Sequence, residues 1–316
     1  MELRILYRGP LASCDYDCGY CPFAKRRDTP GQLRADRAAL DRFVAWVGGQ
    51  QSQQPQQSIG ILFTPWGEAL TRSWYREAMV ELSRLAHVRR VAVQTNLSCR
   101  LDWMERADAD SFALWCTYHP DQVDYPQFLA KHHGLVARGI RHSIGVVGLP
   151  EHLAAARRLA GDLAQDGTYL WINAAEGHSY TDDEAEQWTR IDPLFPYSRF
   201  AHPSRGRACR TGETVISVDG DGLVRRCHFV PKDDPGEVLG NLYDDSFRAA
   251  LRPRPCPIAR CDCHIGYVHM PELPLYQAFG DGVLERVHDR RGALTPAAAS
   301  PKLAMLSEGS EVRRSA

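Results

Sequence analysis

The sequence has no long apolar run. No window approaches the roughly 18 continuous apolar residues that a membrane span needs, and the opening stretch MELRILYRGPLAS carries no signal-peptide pattern. A cytoplasmic protein with no membrane partner is therefore expected. A surplus of either charge is missing too: 38 Lys and Arg stand against 39 Asp and Glu, a formal net charge of −1, with a pI of about 6.9. That balance argues against a general nucleic-acid binder, which carries a basic excess, and against non-specific attraction to anionic membranes. Cysteine is nearly absent from the middle, where only Cys99 and Cys116 occur between positions 21 and 209. Disulfides are rare in the cytosol. The eight cysteines at the two ends thus read as two metal sites rather than a disulfide framework.

What is present is an ordinary globular composition: 316 residues, 44% apolar and 24% charged, enough for one large domain and a smaller one. Short apolar runs alternate with helical patterns. LRILY (3–7), IGILF (59–63), VAVQT (91–95), FALWCTY (112–118), SIGVVGL (143–149) and TYLWINA (168–174) read as strands. Helical spacing covers 33–47, 73–87, 126–138 and 151–165, and GGQQSQQPQQS (48–58) reads as a polar loop. Six βα units predict an α/β fold with a parallel sheet, a partial (β/α)6 TIM barrel over residues 1–200. Beyond about 200 the strands shorten. VISVDGDGLVRRC predicts a hairpin turning at DGDG, inside a small C-terminal α+β extension over 201–290, with a last helix at 273–288. Residues 291–316 are small and polar and are expected to be a frayed, disordered tail.

CDYDCGYC places Cys14, Cys18 and Cys21 in a C-x3-C-x2-C run directly after the first strand. Thiolates are soft ligands suited to zinc, copper(I) or iron–sulfur clusters. Structural zinc usually takes four ligands, and no fourth lies nearby, so an iron–sulfur cluster with one open iron is the favoured reading. The loop falls at the C-terminal ends of the strands, where α/β active sites are built.

The run C-x3-C-x-Φ-C, with Tyr20 as the aromatic, resembles the radical S-adenosylmethionine (SAM) superfamily. The resemblance covers about residues 1–200. It implies a [4Fe–4S] cluster on Cys14, Cys18 and Cys21 whose open iron is chelated by SAM. It also implies reductive cleavage of SAM to a 5′-deoxyadenosyl radical that abstracts a substrate hydrogen, the cofactor doing the hard chemistry. Trp66-Gly67-Glu68 after the second strand resembles the family's Gly-Gly-Glu, with Trp66 departing and Glu68 kept to pair with the SAM ammonium. Thr95-Asn96 resembles its Thr-Asn-Gly, with Leu97 for glycine, and Thr117 stands where the family often has a ribose-binding serine. Taken singly, Gly-Glu reads as a turn and Thr-Asn as a cap; their order at successive strand ends is what favours a cofactor site.

Cys209 and Cys227 form a C-x12-G-x4-C pattern that resembles the start of SPASM and twitch extensions, with Cys256, Cys261 and Cys263 following. The resemblance implies an auxiliary [4Fe–4S] cluster in a shortened extension, since five cysteines serve one four-ligand cluster with one to spare. A zinc site of similar ligand count is the alternative. His228 and His264 read as ligands or as hydrogen-bond donors to cluster sulfur. Cys99 and Cys116 read as core residues, and His119 as a substrate contact or an ordinary loop histidine.

LYRGPL, CPFAK and CHIGYVH together resemble a small bacterial family often called STM-four-thousand-eleven-like. The wider resemblance implies oxidative modification of a ribosomally made peptide and an electron donor such as a flavodoxin or ferredoxin. The chain starts almost directly on strand one, with no winged-helix module to grip a leader peptide. That feature points to the alternative, dehydrogenation or rearrangement of a small metabolite. A reading of another class, a non-catalytic iron–sulfur carrier or redox sensor, has no use for Glu68.

Overall fold

The computed structural model describes residues 2–23, 26–228 and 237–288. Six strands form where the apolar runs lie: β1 (Glu2–Arg8), β2 (Ser58–Phe63), β3 (Val88–Thr95), β4 (Phe112–Tyr118), β5 (Arg141–Val147) and β6 (Leu170–Asn173). They pair in parallel and in sequence order, forming one stretch of a nine-stranded sheet. Their near-continuous hydrophobicity follows from burial on both faces. In register, Ile5, Ile61, Val91 and Phe112 point to one face. Leu6, Leu62, Ala92 and Ala113 form the next row, on the other face.

The first face is covered by α1 (Pro30–Gln53), α2 (Ser73–Ser83), α3 (Tyr125–Ala137), α4 (Leu153–Leu163), α5 (Asp182–Ile191) and α6 (Phe195–Arg199). Phe43, Tyr75, Met79, Phe128, Leu159, Trp188 and Phe195 anchor them there. Helix α1 starts on a capping box of Thr29 and Gln32 with Pro30 in its first turn. It runs through Gly48–Gly49 to Gln53, where a loop was expected. Tertiary contact overrides the weak local signal, because Gln50 is buried and its side chain accepts from Arg248. No α-helix joins β3 to β4; a 3₁₀ turn, Asp102–Arg106, makes that connection.

Beyond α6 come β7 (His202–Pro203), β8 (Ala208–Cys209), β9 (Val215–Asp219), β10 (Leu223–Arg225), β11 (Val238–Asn241), β12 (Arg254–Pro255) and β13 (Arg260–Cys261). The expected hairpin is β9–β10, with Val224 opposite Val218. It joins the main sheet, for β9 pairs in parallel with the free side of β1, Leu6 opposite Ser217. β8 pairs with β12 and β7 with β13 in two short antiparallel ladders.

The inner face is filled by the segment from Cys261 to Leu284, with Ile265, Val268, Met270, Phe279 and Val283 on Leu6, Leu62 and Ala113. The helix expected at 273–288 shrinks to α7 (Leu275–Phe279). Gly280, at φ +51°, leaves the helical region. At Gly282 a Cβ would lie 2.0 Å from the Val287 carbonyl oxygen, so only glycine lets the chain fold back there. The expected tail beyond residue 290 lies outside the described residues. Among the described residues no helix is long and apolar enough to cross a membrane.

Gly282→Ala is expected to lower the unfolding free energy by about 1–3 kcal/mol through overpacking against backbone. Gly161→Ala, in open space on α4, is expected to raise it by about 0.4–1 kcal/mol. Urea midpoints at unchanged slope check both.

Candidate active site

The loop leaving β1 is built around two aspartates. Asp36, on α1 and 1% exposed, accepts from the Leu11 amide (3.1 Å), the Tyr75 hydroxyl (3.0 Å) and the Trp74 indole (2.7 Å). Burial pushes its carboxyl up, and the three donors oppose that. Asp28 accepts from the Ala12 amide (2.9 Å), the Ser13 amide (2.8 Å) and the Ser13 hydroxyl (2.9 Å). Its own amide donates to Ser13 Oγ at 2.6 Å, so the loop is closed at its base.

Cys14, Cys18 and Cys21 hang from that closed loop. The Cys21 amide donates to the Cys18 carbonyl (3.1 Å), and the Tyr16 amide to Cys14 Sγ (3.4 Å). The Asp17 amide donates to Gln122 Oε1 (2.9 Å), tying the loop to the segment after β4. His119, at the end of β4, has its Nδ1 2.9 Å from the Tyr20 hydroxyl and 3.4 Å from Cys18 Sγ. Burial lowers His119 to about 4, so the ring is neutral at physiological pH. Desolvation pushes the Cys14 thiol up to about 12 and the Cys18 thiol to about 11.

The turn after β2 closes on this loop from the other side. The Gly67 amide donates to the Leu11 carbonyl (3.1 Å) and the Glu68 amide to the Ser13 carbonyl (3.0 Å). A Cβ on Gly67 would stand 2.1 Å from the Ser13 oxygen, so glycine is required by close backbone approach. Glu68 is 4% exposed. Its Oε1 accepts from the Leu70 amide (3.0 Å) and the Thr95 hydroxyl (2.8 Å), and its Oε2 from the Asn96 amide (2.7 Å). Three donors leave about one of its four acceptor positions open. Burial raises its carboxyl to about 7 against those bonds.

Asn96 then reaches back to the cysteine loop, its Nδ2 lying 3.0 Å from Asp15 Oδ1 and 3.8 Å from Cys14 Sγ. Leu97 takes φ +57°, the left-handed conformation that glycine adopts without strain. Lys131 Nζ holds that turn by donating to the carbonyls of Leu97 (2.8 Å), Ser98 (2.5 Å) and Cys99 (2.8 Å). Thus Cys14, Cys18, Tyr20, Gly67, Glu68, Thr95 and Asn96 meet in one network at the C-terminal ends of β1 to β4. Thr117 is half-buried on β4 and joins none of these bonds. Cys99 and Cys116 lie in the core under the helices. Sequence reasoning missed Asp28, Asp36 and Lys131.

Trp66 points away from the network, toward the second group of cysteines. The Arg8 guanidinium lies 4.4 Å from its ring centroid, with the Phe23 ring at 4.8 Å and the His228 ring at 5.3 Å. Cys209, Cys227, Cys256 and Cys261 line one small cavity. The two short ladders bring them together, and Arg226 ties the Cys227 side to β12 by donating to the carbonyls of Pro255 (2.7 Å) and Arg254 (3.2 Å). Cys263 is not part of that lining; the Arg8 charge bears on it, favouring its thiolate while burial pushes the thiol up.

Among the described residues no three His, Cys, Asp or Glu side chains converge on a single metal ion. A cubane cluster makes a different demand. It takes one thiolate per iron, so its ligands ring a volume instead of meeting at a point. Three thiolates on one closed loop and four around one cavity fit that demand.

No family model matches the chain, and no curated protein matches it either. Solved structures do. A polyhistidine-tagged anSMEcpe with bound AdoMet superposes with a TM-score of 0.54 at 12% identity, over 79% of this chain and 83% of that one. Native anSMEcpe with bound AdoMet and Cp18Cys peptide gives 0.52 at 12% identity, over 79% and 82%. The chain therefore has the α/β fold of anSMEcpe.

Because the Glu68 carboxyl is raised above its ordinary 4.5, it favours the fold fully below about that pH. It withdraws this contribution as pH climbs to about 7. Stability of the ligand-free protein is expected to lose roughly 3 kcal/mol from this group across that window. Glu68→Gln should remove that part of the slope in urea titrations run from pH 4.5 to 7.5; an unchanged slope would place the titration elsewhere.

Proposed function

We propose that this chain is a radical SAM enzyme with two iron–sulfur centres. The observation that carries the proposal is the locking of the three-cysteine loop against Gly67–Glu68 and Asn96 at the mouth of the parallel strands. Cys14, Cys18 and Cys21 would hold a [4Fe–4S] cluster with one iron left for SAM. When bound there, cluster and SAM together supply a 5′-deoxyadenosyl radical for hydrogen abstraction.

The chain's own residues bind and orient. Glu68 offers its remaining acceptor position to the SAM ammonium, which would pull its pKa back below 7. Thr95 and the Asn96 amide fix that carboxylate, and Gly67 admits the loop close enough to share it. The Asn96 side chain steadies Cys14, and Tyr20 with neutral His119 steadies Cys18. Thr117 is assigned to the ribose. Residues 1–200 are read as an open (β/α)6 barrel and 201–290 as a shortened SPASM- or twitch-like extension. In that extension Cys209, Cys227, Cys256 and Cys261 hold an auxiliary [4Fe–4S] cluster and Cys263 is the spare. The closer STM-four-thousand-eleven-like kinship rests on the sequence resemblance.

The reaction is read as oxidative modification of a peptide, supported by the peptide bound to anSMEcpe, with a flavodoxin or ferredoxin as electron donor in the cytoplasm. A carrier-only role is disfavoured, because an electron carrier has no use for a buried carboxylate held at the mouth of the sheet.

Anaerobically reconstituted protein given dithionite and SAM is expected to release 5′-deoxyadenosine. No product above the Cys14→Ala control would overturn the enzyme reading. Iron analysis should return about eight irons per chain, about four in Cys227→Ala, and about eight in Cys263→Ser. Loss of iron in Cys263→Ser with retention in Cys256→Ser would reverse the ligand assignment.

A further inference from the structure

The turn that follows β3 is held in a conformation that its own residues do not favour. Leu97 is 1% exposed and packs in the core under the helices, yet its backbone takes φ +57°. For an L residue that region is strained, because Cβ comes too close to the following carbonyl oxygen. Inside the turn the Leu97 amide donates to Thr95 Oγ1 (2.9 Å) and the Ser98 amide to Asn96 Oδ1 (2.9 Å). Anchored through Oδ1, the Asn96 side chain reaches Asp15 Oδ1 with its Nδ2 (3.0 Å). The same Thr95 hydroxyl and the Asn96 amide are two of the three donors on Glu68. The backbone of Leu97 therefore governs how Asn96 faces both Glu68 and the cysteine loop.

The turn also brings three successive carbonyl oxygens, those of Leu97, Ser98 and Cys99, around one point. Like ends of dipoles repel there unless a cation lies between them. Lys131 of α3 supplies it, with Nζ at 2.8, 2.5 and 2.8 Å from the three oxygens. An ammonium has three N–H groups, and all three are used on these carbonyls. Burial lowers the Lys131 pKa, and the charges of Asp15 and Glu68 are among those that oppose this. The ammonium thus lies in the field of the same two carboxylates that meet Asn96. The motif that Thr95-Asn96 resembles has glycine where this chain has Leu97, and glycine takes a positive φ without such support.

We propose that Lys131 is a positioning residue for SAM, and that Leu97 and Lys131 together stand in for the glycine of the Thr-Asn-Gly pattern. Lys131 acts through the turn and not on the cofactor. Its ammonium gathers the three carbonyls, and that holds Leu97 left-handed. The held turn presents the Thr95 hydroxyl and the Asn96 amide to Glu68, whose remaining acceptor position is then free for the SAM ammonium. A lysine that only stabilised the fold would change unfolding and leave SAM affinity alone. The inference rests on the enzyme reading for its ligand, and its test separates the two.

Two measurements on the full-length chain test this. In metal-free protein, amide exchange is read by mass spectrometry with residue-level fragmentation. Lys131→Met is expected to speed exchange at Asn96, Leu97 and Ser98 at least tenfold and to leave Val91 and Val93 unchanged. In anaerobically reconstituted protein, SAM affinity is read by equilibrium dialysis. Lys131→Met should weaken SAM at least tenfold, and adding Leu97→Gly should bring the affinity back to within threefold of wild type. Leu97→Gly also empties a core position, so it should lower the urea midpoint while it restores binding; a purely structural role cannot move the two in opposite directions. If the double variant does not fold by circular dichroism, Lys131→Ala carries the test. Added n-propylammonium, which replaces the deleted stem and its three N–H groups, should recover SAM affinity there, and tetramethylammonium at the same concentration should not. Wild-type exchange in Lys131→Met, wild-type SAM affinity in Lys131→Met, or a loss that neither Leu97→Gly nor n-propylammonium relieves would overturn the inference. A wild-type protein that binds no SAM overturns the enzyme reading instead, and the exchange measurement still decides whether Lys131 sets the turn.

Discussion

The Glu68 carboxylate sits where three pieces of chain that are distant in sequence have to meet. Its own amide is bound to the cysteine loop through Ser13, one oxygen takes the Thr95 hydroxyl, and the other takes the Asn96 amide. Without a hydrogen-bonded acceptor at that point, the ends of β2 and β3 would bury unpaired donors. Gly67 makes the approach sterically possible and Glu68 makes it polar-complete, so the pair acts as one device. The same closure leaves Cys14 beside Asn96 and Cys18 beside His119. The loop is therefore held from the strand ends on one side and by Asp28 and Asp36 on the other.

The strands and the cysteine loop were legible because both are local patterns. Buried parallel strands read as apolar runs, and a thiolate-rich loop shows itself by spacing. Gly67, Glu68, Thr95 and Asn96 were legible only through order along the chain, and the structure brings them together. Asp28, Asp36 and Lys131 were not legible, since each works by hydrogen bonds across 15 to 39 residues with no periodic or motif signature. The last turns of α1 and the shortened α7 were misjudged for a related reason. In the first a buried Gln50 outweighs two glycines, and in the second a backbone contact at Gly282 outweighs an apparent helical pattern.

Trp66 shows how a departure from a motif can be informative. Glycine there would offer its neighbours no ring to pack on. The indole instead carries Arg8 on its face and touches Phe23, which follows Cys21, and His228, which follows Cys227. The two cysteine groups thus share a wall of rings and one guanidinium. The Arg8 charge bears on both Cys227 and Cys263, so the electrostatics of the second group are set partly by the first strand of the chain.

The pairing of β9 with β1 also has a consequence for the protein's birth. Arg8 and Asp219 end adjacent strands, yet about 210 residues of translation separate them. At about 5–20 residues per second, one edge of β1 waits roughly ten to forty seconds for its partner to be made. An unpaired hydrophobic edge is the usual seed of wrong pairing between nascent chains. Glu2, Arg4 and Arg8 alternate with the apolar residues, so one face of the strand carries charge while that edge stands open. The first strand of this fold is thus among the last to be finished.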